Sequence, residues 1–307
     1  MQMREGPRPS TFSGPAQLPR NVAEEREWQE ANRLWWEHHP MQYDWAEAIP
    51  YEKFSREYFR EVDRRFFESS RFYLPWRKYP FEALVDFEGL AGMKVLEIGV
   101  GCGSHAQLLA QHAAEFVGLD ITEHAVRATQ ARINVMGISK ASILQVDAQR
   151  MPFPDNSFDL VWSWGVIHHS ADTDAVLREI CRVLKPGGRM ILMVYHRGWW
   201  NYYVVGGLIL GLCCGQLFRH KSVHRIIQNR TDGALARYYS LGEWKRSAPK
   251  GLVLDKAFVL GMKTDLVPLP RGRIRDFLLT ALPDSVGRFM VRALRMGSFL
   301  VSTHHKE

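Results

Sequence analysis

Cysteine is scarce in this chain: Cys102, Cys181 and the neighbours Cys213 and Cys214 are the whole supply in 307 residues. None stands in a C-x-x-C or similar spacing, so neither a metal site nor a disulfide framework is implied. That usage suits a reducing cytoplasm. The start of the chain lacks the apolar core of a signal peptide. Its opening is rich in Pro, Gly and Ser, and residues 1–23 are expected to form a flexible tail. Acids are outnumbered, 33 Asp and Glu against 40 Lys and Arg, and the formal net charge is +7. Such a surplus favours contact with something anionic, such as lipid headgroups. The interleaved basic and aromatic residues of a nucleic-acid groove are missing, which argues against DNA or RNA as a partner.

What is present is concentrated after Lys94. Val95, Leu96 and Ile98 read as a buried strand that runs into Gly99, Gly101 and Gly103. A helical pattern follows through Ala106, Leu108, Leu109 and Ala113. Glycines at a strand-to-helix turn permit φ > 0 and let a ligand come close to the backbone. The spacing is G-x-G-x-G; the third glycine of a dinucleotide fingerprint would fall at Ser104. Glu97, inside the strand, would repel a pyrophosphate but tolerate a cofactor carrying an amino group and a sulfonium. The next strand, 115–120, ends at Asp120, the usual place for a ribose-hydroxyl acceptor. Further strands are read at 143–148, ending in Asp147 and Ala148, at 160–164, and at 189–195. Gly165, His168 and His169 follow the fourth strand, and a helix is read over 173–184.

In this order and spacing the residues resemble the class I S-adenosylmethionine-dependent methyltransferases, in the small-molecule branch with quinone, sterol and natural-product enzymes. The resemblance is strong over 79–196 and looser beyond. It implies an α/β, Rossmann-like fold with a seven-stranded, mostly parallel sheet, helices on both faces, and the last strand antiparallel beside the fifth. It implies S-adenosyl-L-methionine as cofactor. Gly99, Gly101, Gly103 and Glu97 would surround the methionine part. Asp120, followed by Ile121, would meet the ribose hydroxyls, and Asp147 with the backbone of Ala148 the adenine. Trp164 and Gly165 would stand where cofactor and substrate meet. Val100 and Cys102 depart from the Cys and Thr that many relatives carry. The implied reaction is in-line methyl transfer to an oxygen or carbon of an apolar small molecule or lipid-like acceptor, releasing S-adenosylhomocysteine. For an oxygen acceptor, His168, His169 and His196 are the candidate bases. No Asn-Pro-Pro-Tyr-like motif follows the fourth strand, which disfavours a nitrogen target. The competing readings are a non-catalytic S-adenosylmethionine-binding sensor or partner subunit, a nicotinamide oxidoreductase, which the glycine spacing opposes, and arsenite methylation, which only Cys213 and Cys214 suggest.

The rest divides around that core. Residues 24–81 read as an N-terminal helical cap whose Trp35, Trp36 and Trp45 either exclude water from the site or anchor the cap. The cofactor-binding core is placed at 82–198, a helical apolar insertion at 199–251, and closing strands with an amphipathic helix at 252–307. The apolar run 199–218 approaches the ~20 residues of a membrane span. Gly207, Gly211 and Gly215 recur every fourth residue as a close-packing face would require. The chain must rejoin the sheet afterwards and no second crossing is visible, so spanning is not expected. The segment is either a buried wall of the substrate pocket or a helix dipping into the inner face of the membrane. Arg271, Arg273, Arg275, Arg288, Arg292 and Arg295 strengthen the second reading. Ser240 and Glu243 have capping-box spacing. Strands are expected at 254–262 and 298–303, with the amphipathic helix at 284–295.

Overall fold

The computed structural model describes residues 8–41, 43 and 47–307. Trp45 and the first seven residues of the expected tail lie outside them. Short apolar runs between glycine turns form the sheet: β1 Lys94–Ile98, β2 Glu115–Asp120, β3 Ala141–Gln145, β4 Phe158–Trp164, β5 Leu184–His196, β6 Tyr238–Tyr239, β7 Leu252–Leu260 and β8 Phe299–Lys306. The order is β3-β2-β1-β4-β5-β8-β7, with β6 paired to β5. β8 runs antiparallel between β5 and β7, while β1 to β5 are mutually parallel. The eighth strand is the two-residue β6, beside Tyr195 and His196. β7 begins two residues before the expected start, and β8 continues to Lys306 because its end pairs with Leu252.

Five helices frame the sheet: α1 Val22–His38, α2 Arg56–Arg71, α3 Ser104–His112, α4 Glu123–Val135 and α5 Thr173–Val183. Asn21, Ser55, Thr122 and Asp172 each accept a backbone N–H at the start of α1, α2, α4 and α5, satisfying otherwise orphaned donors. One face of the sheet packs Phe116, Trp162 and Ile191 with Leu109 of α3 and Ile133 of α4. The other packs Leu96, Val161 and Leu192 with Val176 and Ile180 of α5. Burial on both faces explains the near-continuous apolar runs of the parallel strands.

Three regions differ from the sequence reading. Residues 8–20 are not a free tail. Phe12 is buried edge-on against Trp28, and Tyr238 N donates to Pro15 O (2.7 Å). One buried aromatic and a few backbone carbonyls that accept from the core pin this Pro- and Gly-rich stretch. In the insertion, Trp199–Cys213 is a π-helix, with i→i+5 bonds such as Cys214 N to Ile209 O (2.9 Å). Its wider turn breaks the expected glycine face. Gly206 and Gly211 are the buried glycines, and Gly215 ends the helix at φ +70°. Tyr202 faces inward while Trp199, Tyr203, Leu208 and Leu212 are exposed. Among the described residues no helix is long and apolar enough to cross a membrane. Near the end, the amphipathic helix spans Asp284–Arg292, and a helix Arg273–Ala281 precedes it that sequence reading missed. The helix Leu241–Ser247 starts with the expected capping box.

Arg237 joins these regions. Its side chain is fully buried against the rings of Phe12 and Trp28. Nε donates to Gln17 O (2.7 Å), Nη2 to Ala171 O (2.5 Å) and Nη1 to Ser170 O. Burial lowers its pKa, but from a level at which a guanidinium stays charged. Removing it would strand three carbonyls, at ~1–3 kcal/mol for each buried group left unpaired. Arg237→Ala is expected to lower unfolding free energy in urea by ~3 kcal/mol or more, and to make residues 8–20 the first site of limited proteolysis. Arg237→Lys, lacking the planar fork, should restore only part of the loss.

Candidate active site

The site grows from the turn after β1. Gly99, Gly101 and Gly103 all have positive φ, at 81°, 53° and 77°. A Cβ on Gly99 would lie 2.2 Å from Val166 Cγ2, so the turn after β1 and the loop after β4 could not approach with any larger residue. At Gly101 the reverse holds: a Cβ would meet nothing within 4 Å. That open space belongs to a cavity of about 470 Å³ at the carboxyl end of β1 and β4. Here the strand order reverses, the position where open α/β sheets bind ligands.

Two aspartates line the cavity. Asp120, at the end of β2, accepts from Gly101 N (3.1 Å) through Oδ2 and from Thr122 N and Oγ1 (3.0 and 2.8 Å) through Oδ1. Burial raises its pKa against the lowering effect of those bonds. Ile121 lies beside it in the wall. Asp147 Oδ1 accepts from Gln149 N (2.9 Å) and Gln29 Nε2 (2.9 Å). Gln29 Oε1 in turn accepts from Ala171 N (2.8 Å), so α1 is tied across the mouth of the sheet. Ala148 completes this corner.

Glu97 is buried beneath the turn and does not reach the cavity wall. Its Oε2 has no hydrogen-bond partner, and Oε1 lies 3.8 Å from His105 Nδ1. Burial pushes its carboxyl well above the usual range, and Asp120 adds to this. His105 does line the cavity; burial drops its pKa to about 3, so it is neutral, and its Nε2 is also unpartnered. Sequence reading missed His105, whose only signal was its place in the first turn after the glycines. Gly103 lies outside the wall too, packed where a Cβ would meet Thr129 at 2.9 Å.

The three histidines singled out from the sequence are separated. His169 lines the cavity, whereas His168 and His196 do not. His168 and His169 share the 3₁₀ turn Ile167–His169, where successive side chains point about a third of a turn apart, so both cannot face one cavity. His168 packs against Tyr195 instead, with ring centroids 3.9 Å apart. On β5, alternation sends Tyr195 to the cavity and His196 to the other face, where its Nδ1 bonds Gly297 O (2.8 Å). His169 Nδ1 bonds Leu235 O (2.7 Å). A carbonyl only accepts, so the proton sits on Nδ1 and Nε2 keeps a lone pair, with no partner. Burial lowers its pKa to about 4.

The remaining wall is aromatic. Trp164 stacks on Trp162 at 5.4 Å and 8°, and Trp36, Tyr43, Phe66, Tyr73, Tyr195 and Phe299 surround the space between it and His169. Among the described residues the wall holds no Lys, Arg or Glu, and Asp120 and Asp147 are its only carboxylates.

Residues 96–192 match the family model described as a methyltransferase domain. An uncharacterized methyltransferase, YcgJ, of Bacillus subtilis is 33% identical over 103 residues, covering 34% of this chain and 41% of its own. The ubiquinone/menaquinone biosynthesis C-methyltransferase UbiE of Shewanella oneidensis is 33% identical over 129 residues, covering 40% and 49%. The chain thus spans less than half the length of these curated relatives. The crystal structure of geranyl diphosphate C-methyltransferase from Streptomyces coelicolor aligns over 95% of this chain and 100% of its own, with a TM-score of 0.54 and 15% identity, which shows a shared fold. With the glycine turn, Asp120 and Asp147 at one cavity, residues 96–192 are a methyltransferase domain similar to those of the class I S-adenosylmethionine-dependent enzymes.

Proposed function

We propose that this protein transfers the methyl group of S-adenosylmethionine to an oxygen or carbon nucleophile of an apolar small molecule or lipid-like acceptor. One observation carries the reading: a single cavity joins the glycine turn, Asp120 and Asp147 at one end to an aromatic enclosure free of Lys, Arg and Glu among the described residues. The residues fit the cofactor. Gly101 leaves space that a Cβ would fill, and Glu97 Oε2 and His105 Nε2 are buried polar atoms awaiting partners. Asp120 retains acceptor capacity for ribose hydroxyls, and Asp147 with the backbone of Ala148 would hold the adenine. Bound, the cofactor supplies a methyl group made electrophilic by its sulfonium. The chain's own work is alignment and exclusion of water by Trp36, Tyr73, Trp164 and Tyr195. His169 Nε2 would take the proton of a hydroxyl acceptor. The name of the UbiE relative supports a carbon acceptor, for which the same walls suffice.

The direct test incubates purified protein and methyl-labelled cofactor with lysate of the source organism, then partitions the mixture. Label in the organic phase is expected. Label confined to the aqueous phase would sink the apolar acceptor, and binding without transfer would point to a non-catalytic role. Replacing His169 with Ala sorts the chemistry: a loss of ~10²–10⁴ in kcat with unchanged cofactor affinity marks proton removal from oxygen, and a loss below about tenfold marks a carbon acceptor.

The glycines should separate by role. Gly101→Ala is expected to cost the folded protein only ~1 kcal/mol of backbone strain while weakening cofactor binding about tenfold or more. Gly99→Ala should instead lower thermal stability sharply, through the collision with Val166. Calorimetric titration and melting curves of both variants check this.

Glu97 predicts a proton signature. Its raised pKa keeps the carboxyl protonated in a range where an ordinary glutamate is ionised. A cationic cofactor group nearby favours the carboxylate, so binding should release a proton and tighten as pH rises. Titrations in buffers of different ionisation enthalpy should show the release, and Glu97→Gln should reduce it. Identical heats in all buffers would remove Glu97 from the cofactor's surroundings.

A further inference from the structure

The last fifth of the chain carries an apolar surface that the cavity does not use. The nine-residue helix Arg273–Ala281 buries none of its residues. Ile274, Phe277 and Leu278, spaced i, i+3 and i+4 along one face, are 73%, 70% and 40% exposed. A helix this short is marginal in water without a surface to pack on. The helix Asp284–Arg292 that follows has two apolar sides. Gly287 and Val291 are buried toward Phe72 and Leu266, whereas Val286 and Phe289 face outward, Phe289 being 60% exposed. Leu294 extends the outward side, and the Trp199 indole donates to its carbonyl (2.8 Å), which links the patch to the exposed start of the π-helix.

Charge selects the occupant. Residues 271–295 contain six arginines against two acids, Asp276 and Asp284. Asp284 is already engaged by Lys263 and Arg288. Arginines that alternate with outward Ile, Leu and Phe, with a Trp at the edge, suit the boundary between anionic headgroups and acyl chains. Position agrees. Arg271 shares a surface hollow with Tyr43 and Ser69, and both of these also line the cavity. Arg292 Nη2 donates to Tyr73 O (2.6 Å), and Tyr73 is part of the cavity wall.

We propose that the helices Arg273–Ala281 and Asp284–Arg292, with Leu294 and Trp199, form a docking surface for an anionic lipid bilayer. Docked there, the protein holds the apolar cavity beside the membrane interface, where an apolar acceptor is concentrated. The docking requires no methyl transfer, so it and the proposed reaction fail separately.

Flotation of the full chain with phosphatidylcholine vesicles, with and without phosphatidylglycerol, tests this. Association is expected with the anionic vesicles and should fall steeply as salt is added. Phe277→Ser combined with Phe289→Ser should weaken it about tenfold or more without lowering the melting temperature, because both side chains are exposed in the free protein. Arg273→Gln with Arg275→Gln should weaken it and flatten the salt dependence. Absence of flotation with either vesicle, or flotation unaffected by the serine pair, overturns the proposal. So does a concentration-dependent dimer that the serine pair dissolves, since that assigns the face to a second copy of the chain.

Discussion

A buried guanidinium with carbonyl oxygens for hydrogen-bond partners organises the walls of the candidate site. Arg237 takes Gln17 O from the N-terminal segment and Ser170 O and Ala171 O from the loop after β4, while its own backbone leads into β6. A buried charge is tolerable when its donors are all used in good geometry, and expensive otherwise. The arrangement therefore has little freedom. The segment at residues 8–20, the loop carrying His169 and the end of the apolar insertion must meet at one point. Their meeting fixes Leu235 O against His169 Nδ1, and so fixes which imidazole nitrogen carries the proton.

Burial drives several acids and bases of the site toward neutrality. Glu97 is raised, while His105 and His169 are lowered, with burial as the first cause each time. At Asp120, raised by burial as well, bonds from Gly101 and Thr122 oppose that effect. Burial of this kind lowers the effective dielectric, so a ligand's charge is felt more strongly there than in water.

Much of this was legible in the sequence, for identifiable reasons. Gly99, Gly101, Asp120 and Asp147 were readable because strand ends and positive-φ turns constrain residue type and spacing. The parallel strands were readable because burial on both faces leaves unbroken apolar runs. Alternation along β5 could also have separated Tyr195 from His196, whereas the split between His168 and His169 needed the 3₁₀ turn itself. The insertion was harder. Its residues are apolar all round, so no periodicity distinguishes a π-helix from an α-helix, and glycine spacing counted on the α period pointed to the wrong face. Composition also misjudged residues 8–20, where Phe12 and the bonds to Pro15 O and Gln17 O outweigh the surrounding Pro and Gly. The cavity's aromatic enclosure draws on α1, α2, β5 and β8, a convergence that no local window contains.

Gln29 has a consequence for the order of events in time. It lies in α1, near the start of the chain, yet it bonds Asp147, 118 residues later, and Ala171, 142 residues later. Glu37 of the same helix caps α4 at Glu123 and His124, 86 and 87 residues on. During synthesis α1 leaves the ribosome well before any of these partners exists. It must wait, unattached, until β1 to β4 have paired. An element made early is therefore among those that dock late, and the cavity closes only after its later-made partners have formed.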